Sequence, residues 1–185
     1  MFLKLLESEK TFIQSVIEKQ MVWQAVVSGI LGYIALPLIH LISLILTNKI
    51  DSSVVSVKLT LYPVISIAAF FGSTFVVYII GRIFKSKGTF REYLIANGFN
   101  GVYMIISSLL LIPILLLSNY IAVHNATGAG GVIALFIILI FAVIFTIKYG
   151  IFAISYIFRF TGLESLLIWC VVFVPVFIGI FYSMK

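Results

Sequence analysis

A short amphipathic pattern opens this chain, and long apolar runs with no polar face follow it. At 100° per residue, Phe2, Leu3, Leu5, Leu6, Phe12, Ile13, Val16 and Ile17 fall within an arc of about 180°. Lys4, Glu7, Ser8, Thr11, Gln14, Ser15 and Glu18 fill the other side, and Glu9 and Lys10 intrude on the apolar face. The pattern predicts an amphipathic helix over residues 1–20, lying in a membrane interface or packed on the rest of the chain.

Residues 21–185 form the second region. Five apolar stretches predict spanning helices, because about 20 apolar residues are needed to cross roughly 30 Å of hydrocarbon. They run from about Val22 to Leu46, Leu59 to Ile80, Val102 to Ala122, Gly131 to Ile147 (its helix continuing toward Phe158) and Leu166 to Tyr182. The runs are continuous, with no period-2 alternation over about ten residues, which favours helices over a transmembrane barrel. The expected fold class is therefore an all-α, five-span transmembrane bundle, with the amphipathic helix at the cytoplasmic interface.

Finer signals sit on these runs. Pro37, Pro63, Pro113 and Pro175 lie in or at the edges of spans, where packed neighbours tolerate a kink. Ser28 with Gly32, Ala68 with Gly72, and Gly98 with Gly101 set small residues at helical spacing for close approach within the chain. Thr89-x-x-Glu92 and Thr161-x-x-Glu164 each precede an apolar run, so both are expected to start helices with a capping box.

Composition agrees with lipid as the solvent. Of 185 residues, 63% are hydrophobic and 10% charged, with a mean hydropathy of +1.26, against about a quarter charged in an ordinary soluble domain. Charge interrupts residues 1–10 too early for the core of a cleavable signal peptide, so this segment is expected in the mature protein. The single Cys170 allows no disulfide within one chain and reads as a small buried hydrophobe.

Charge also predicts orientation. Lys4, Lys10, Lys19, Arg82, Lys85, Lys87, Arg91, Lys148 and Arg159 fall on one side, nine of the twelve Lys and Arg. Basic residues enrich cytoplasmic loops, which puts the amino terminus in the cytoplasm and the carboxyl terminus outside.

Candidate chemistry is sparse. No acidic residue lies mid-span, which counts against ion-coupled transport and intramembrane acid–base catalysis. His40 lies in the first span near the outer interface and reads as a hydrogen-bonded or interfacial histidine. His124 could approach it, but two histidines are a weak metal signal. Lys148 reads as a cation snorkelling to the inner interface. Asn125-Ala126-Thr127 matches a glycosylation acceptor in a short loop at the membrane and is discounted. The Gly128-Ala129-Gly130-Gly131 run has no flanking nucleotide-loop features. No catalytic set, metal site or cofactor is expected. The cluster Arg82, Lys85, Lys87 and Arg91 faces a membrane surface and is the candidate site for anionic lipid headgroups, not nucleic acid.

The segment Gly81-Arg-Ile-Phe-Lys-Ser-Lys-Gly-Thr-Phe-Arg-Glu-Tyr-Leu94, with Gly98, resembles the Yip-domain family. In that family the third span is entered by glycine, Ser or Thr, Phe, a basic residue and Glu, the order of Gly88, Thr89, Phe90, Arg91 and Glu92. A looser similarity covers Tyr149 to Leu167, where a Gly-Leu turn stands at Gly162-Leu163. The resemblance implies a small five-span protein; eukaryotic members sit in Golgi and endoplasmic reticulum membranes and interact with Rab-type GTPases.

Lys87-Gly88 stands where a glycine pair is often seen, and the long acidic and aromatic amino-terminal region of eukaryotic members is not matched. GTPase binding is therefore doubtful, and a compact bacterial member in the cytoplasmic membrane is the expectation. The function so implied is non-enzymatic: membrane organisation or trafficking through lipids, a membrane protein partner or a homo-oligomer. The alternative is a small transporter or lipid-handling channel subunit, which would show a hydrated cavity ringed by Ser, Thr, Asn and Tyr.

Overall fold

A computed structural model describes residues 2–46, 51–114, 116–117 and 129–184. They form helices α1 (Phe2–Glu18), α2 (Val22–Leu46), α3 (Ser52–Ile83), α4 (Phe90–Leu109), α5 (Ala129–Phe158) and α6 (Gly162–Met184), with no strand among the described residues. Helices α2 to α6 are each long and apolar enough to cross a membrane, and the apolar course of α4 runs on to Ile114. The protein is an all-α, multi-pass membrane bundle. His124, Asn125 and the start of the glycine run lie outside the described residues.

Helix α4 is the centre: it packs on α1, α2, α3 and α5. Its closest neighbour is α2, and small residues make that possible. Gly98 lies against the Ala25 backbone, and Gly101 against the Ser28 carbonyl and the Gly32 backbone. The Ser28 hydroxyl donates across the seam to the Gly98 carbonyl (2.9 Å). By contrast nothing lies within 4 Å of a Cβ built at Gly72, and Ala68 is exposed, so that pair faces outward from α3.

Placement of α4 corrects the third span. The expected course from Val102 to Ala122 began one polar stretch too late, for the helix enters at Phe90 and is apolar enough to cross from there. Asn97, Gly98, Asn100 and Gly101 lower its hydropathy, yet all are buried between helices. Asn97 Nδ2 donates to Thr74 Oγ1 on α3 (2.9 Å), a partner that lipid would not supply. Helix α3 is also longer than the expected Leu59–Ile80, because Val54, Val55 and Val57 continue its apolar surface toward Asp51.

Helix α5 divides in two. From Gly131 to Phe145 it is largely exposed, an apolar surface suited to lipid. From Tyr149 to Phe158 it buries Tyr149, Ala153, Ile154, Ile157 and Phe158 in the main core with Phe70, Tyr93 and Trp169. Cys170 is exposed, not buried as expected: Trp169, Val172 and Phe173 take the inward face of α6, and the helical step turns Cys170 outward. On α1, Ile13 and Val16 are buried, and the Phe12 ring meets Phe99 edge-on at 5.5 Å, so this part of the amphipathic helix packs on the bundle.

Both Thr-x-x-Glu steps form capping boxes. Thr89 Oγ1 accepts from Glu92 N (3.2 Å) while Glu92 Oε2 accepts from Thr89 N (2.8 Å). Thr161 and Glu164 repeat the arrangement at 3.3 and 2.8 Å. Thr89→Ala and Thr161→Ala should each lower thermal stability in detergent, by about 0.5–2 kcal/mol for Thr89, with Thr→Ser nearly silent. Alanine variants melting with the parent would show that these hydroxyls do not hold the helix starts.

Candidate functional site

The α3–α4 connector, the α5–α6 turn and α1 meet at one end of the bundle. Ser86 joins the first two: its hydroxyl donates to the Phe158 carbonyl (2.9 Å) and accepts from Gly88 N (3.2 Å). Gly88 is pressed so closely on α5 that an added Cβ would sit 2.6 Å from the Ile157 carbonyl. Lys87, between these two anchors, is thereby held at a fixed place while its side chain is exposed.

Three helices end here on a left-handed residue that is not glycine: Gln20 (φ 51°) after α1, Lys85 (φ 56°) after α3 and Arg159 (φ 58°) after α5. At α3, Ser86 N bonds to Gly81 O and Lys85 N to Arg82 O, the paired bonds of a Schellman ending. Glycine adopts this conformation without the Cβ penalty of roughly 1–2 kcal/mol. Two of the three positions carry a basic side chain instead, presented at the bundle's end and favourable to the helix dipole.

These elements enclose a cleft of about 630 Å³. Lys10, Gln14 and Glu18 from α1, Lys87 and Glu92 from the α4 entry, and Tyr156 and Arg159 from the end of α5 line it. The two acids are engaged: Glu18 accepts from Gln14 Nε2 (2.8 Å), and Glu92 binds its own cap. Among the described residues, Lys10, Lys87 and Arg159 have no side-chain partner. An anion entering the cleft would meet three unpaired cations against two carboxylates held by neutral donors, a formal excess of one positive charge.

The predicted headgroup cluster divides accordingly. Lys87 lines the cleft. Arg91 donates to Gln20 Oε1 (2.9 Å) and ties α4 to the α1–α2 turn. Arg82 and Lys85 are exposed at the end of α3 and line no part of the cleft. Lys10 and Arg159 were missed, because a cluster read along the chain cannot include α1 or the α5 terminus. One signal pointed to Lys10: it breaks the apolar face of α1, and that face is turned toward the bundle and the cleft.

The other polar candidates lie elsewhere. His40 is partly buried on α2, with Nδ1 unpartnered among the described residues. Lys148 sits about 15 Å along α5 from Phe158, at 1.5 Å per residue, its ammonium 5.8 Å from the Phe145 ring centroid, within cation–π range. No group of three or more His, Cys, Asp or Glu that could hold a metal occurs among the described residues. No family model, no curated protein and no solved structure matches this chain.

Proposed function

We propose that the chain is a non-enzymatic, Yip-like membrane protein that binds anionic phospholipid headgroups in the basic cleft, at the cytoplasmic face of the cytoplasmic membrane. The observation that carries this reading is the state of the cleft's charges: its acids are engaged and its three cations have no described partner. The orientation rests on the excess of Lys and Arg at this end. The kinship rests on the five-span plan and on the glycine-to-Glu92 order at the α4 entry, where Gly88 and the capping box stand.

A basic residue near an anionic leaflet contributes about 1 kcal/mol, so three give at most about 3 kcal/mol, on the order of a hundredfold in preference, which Glu18, Glu92 and salt all reduce. In mixed vesicles the parent should enrich phosphatidylglycerol over phosphatidylcholine, and more weakly as salt rises. Changing Lys10, Lys87 and Arg159 together to Gln should abolish most of that enrichment. Changing Arg82 and Lys85 to Gln, outside the cleft, should leave most of it. Leu163→Cys in a Cys170→Ala background, at an exposed position of the α5–α6 turn outside the cleft and labelled from either side of intact cells, checks that every variant compared inserts with this end in the cytoplasm. Equal enrichment in the parent and the triple variant would reduce the basic residues to signals read during insertion.

A further inference from the structure

A second hollow lies inside the bundle, separate from the basic cleft. It is a cavity of about 330 Å³ between α2, α4, α5 and α6, within the range of small-molecule sites. No residue lining the cleft also lines it. Its walls are mostly carbon: Leu36, Met104, Leu139, Ile147, Phe177 and Ile180.

The hydroxyls in the wall are mostly spent. Ser107 Oγ and Thr146 Oγ1 are 3.2 Å apart and each lies within reach of a carbonyl of its own helix, so with one proton apiece one donates to the other and the other to its carbonyl. Tyr33 Oη pairs with Ser73. Water needs two to four polar partners and would find few here. A hydrated transport path is thus the poorer match, and an aliphatic occupant the better one.

Depth and access narrow the occupant. On α4 the lining runs from Met104 to Leu111, about 21 to 31 Å from Phe90 at 1.5 Å per residue. That is the far part of a hydrocarbon layer roughly 30 Å thick. Val143 lines the cavity and is 41% exposed, so the hollow reaches the outer surface of α5, where that helix is bare. Ser108, only 6% exposed, lines the cavity near the far boundary. Ester carbonyls of the far leaflet lie at about this level. The Trp169 ring forms part of the wall nearer the basic end.

We propose that this cavity binds one acyl chain of a phospholipid from the leaflet opposite the basic end. The chain enters beside Val143, runs between α4 and α5 toward the Trp169 ring, and leaves its ester near Ser108.

The probe is phosphatidylcholine carrying a diazirine at the end of one acyl chain, in phosphatidylcholine vesicles containing the full chain. After photolysis, adducts should map to inward residues such as Met104, Ile147 and Trp169 as well as to lipid-facing Ile137 and Phe141. Ser108→Phe fills the cavity and Val143→Phe narrows its mouth. Both should lose the inward adducts and keep those at Ile137 and Phe141, which report that the variant has inserted and folded. Val143 is exposed, so its variant serves should Ser108→Phe fail to insert. Adducts confined to outward residues in the parent would overturn the proposal, as would inward adducts equal in the parent and a folded variant. Inward labelling by a water-soluble diazirine alone would instead mark a hydrated cavity and also overturn it.

Discussion

Gly101→Ala is expected to cost the bundle about 3 kcal/mol, the upper end of ordinary overpacking penalties, and to leave much of the protein unfolded or aggregated in detergent. A Cβ there would collide with the Ser28 carbonyl and the Gly29 backbone, and backbone cannot move aside as a side-chain end can. Gly98→Ala meets the Ala25 backbone in the same way. Either change must push α2 from α4 and break the Ser28 hydrogen bond to the Gly98 carbonyl. Gly72→Ala is the control: its Cβ meets nothing, and alanine is the better helix former by about 1 kcal/mol. Melting curves should therefore fall steeply for the two α4 variants and stay level or rise for Gly72→Ala. Equal behaviour of all three would mean that α2 and α4 do not touch at these glycines.

The glycine seam shows what the sequence could reveal and what it could not. Small residues at helical spacing marked Ser28, Gly32, Gly98 and Gly101, and the structure uses all four in one contact. The identical reasoning marked Ala68 and Gly72, which face outward. Spacing tells which residues share a helix face, but not which face meets a neighbour. Hydropathy likewise found α2 from Val22 to Leu46, because both ends of that helix are polar breaks in an apolar run.

Hydropathy misplaced α4 for a physical reason. The most enclosed helix can hold the most polar residues: Asn97 finds Thr74, although Asn100 Oδ1 is buried with no partner among the described residues. Asn97 and Asn100 therefore lowered the signal of the helix that is most central. The bare half of α5, with the fewest neighbours, gave the strongest signal of all. The basic cleft was half legible, since its Lys87 comes from a local cluster while Lys10 and Arg159 arrive from remote segments. The apolar cavity inside the bundle had no signature, because the residues lining it resemble those of any span.

Ser86→Ala should lower stability by about 2 kcal/mol, because a 9%-exposed hydroxyl that both donates and accepts would leave two backbone groups unsatisfied. The Phe158 carbonyl loses its donor at the end of α5, and Gly88 N loses its acceptor at the entry to α4. Gly88→Ala should cost at least as much, since its Cβ would strike the Ile157 carbonyl at 2.6 Å. Lys87 lies between them with an exposed side chain, so Lys87→Gln should shift stability by no more than about 0.5 kcal/mol. Lipid preference should order the variants differently. Lys87→Gln weakens phosphatidylglycerol enrichment while the melting curve stays in place. Ser86→Ala weakens it in proportion to the loosening of the connector, although no charge is removed. Measuring unfolding and enrichment on the same preparations separates the two roles. If Ser86→Ala destabilises the protein but keeps the parent's full lipid preference at temperatures where it remains folded, the anchoring of Lys87 is irrelevant to binding. The cleft would then act only through its charge.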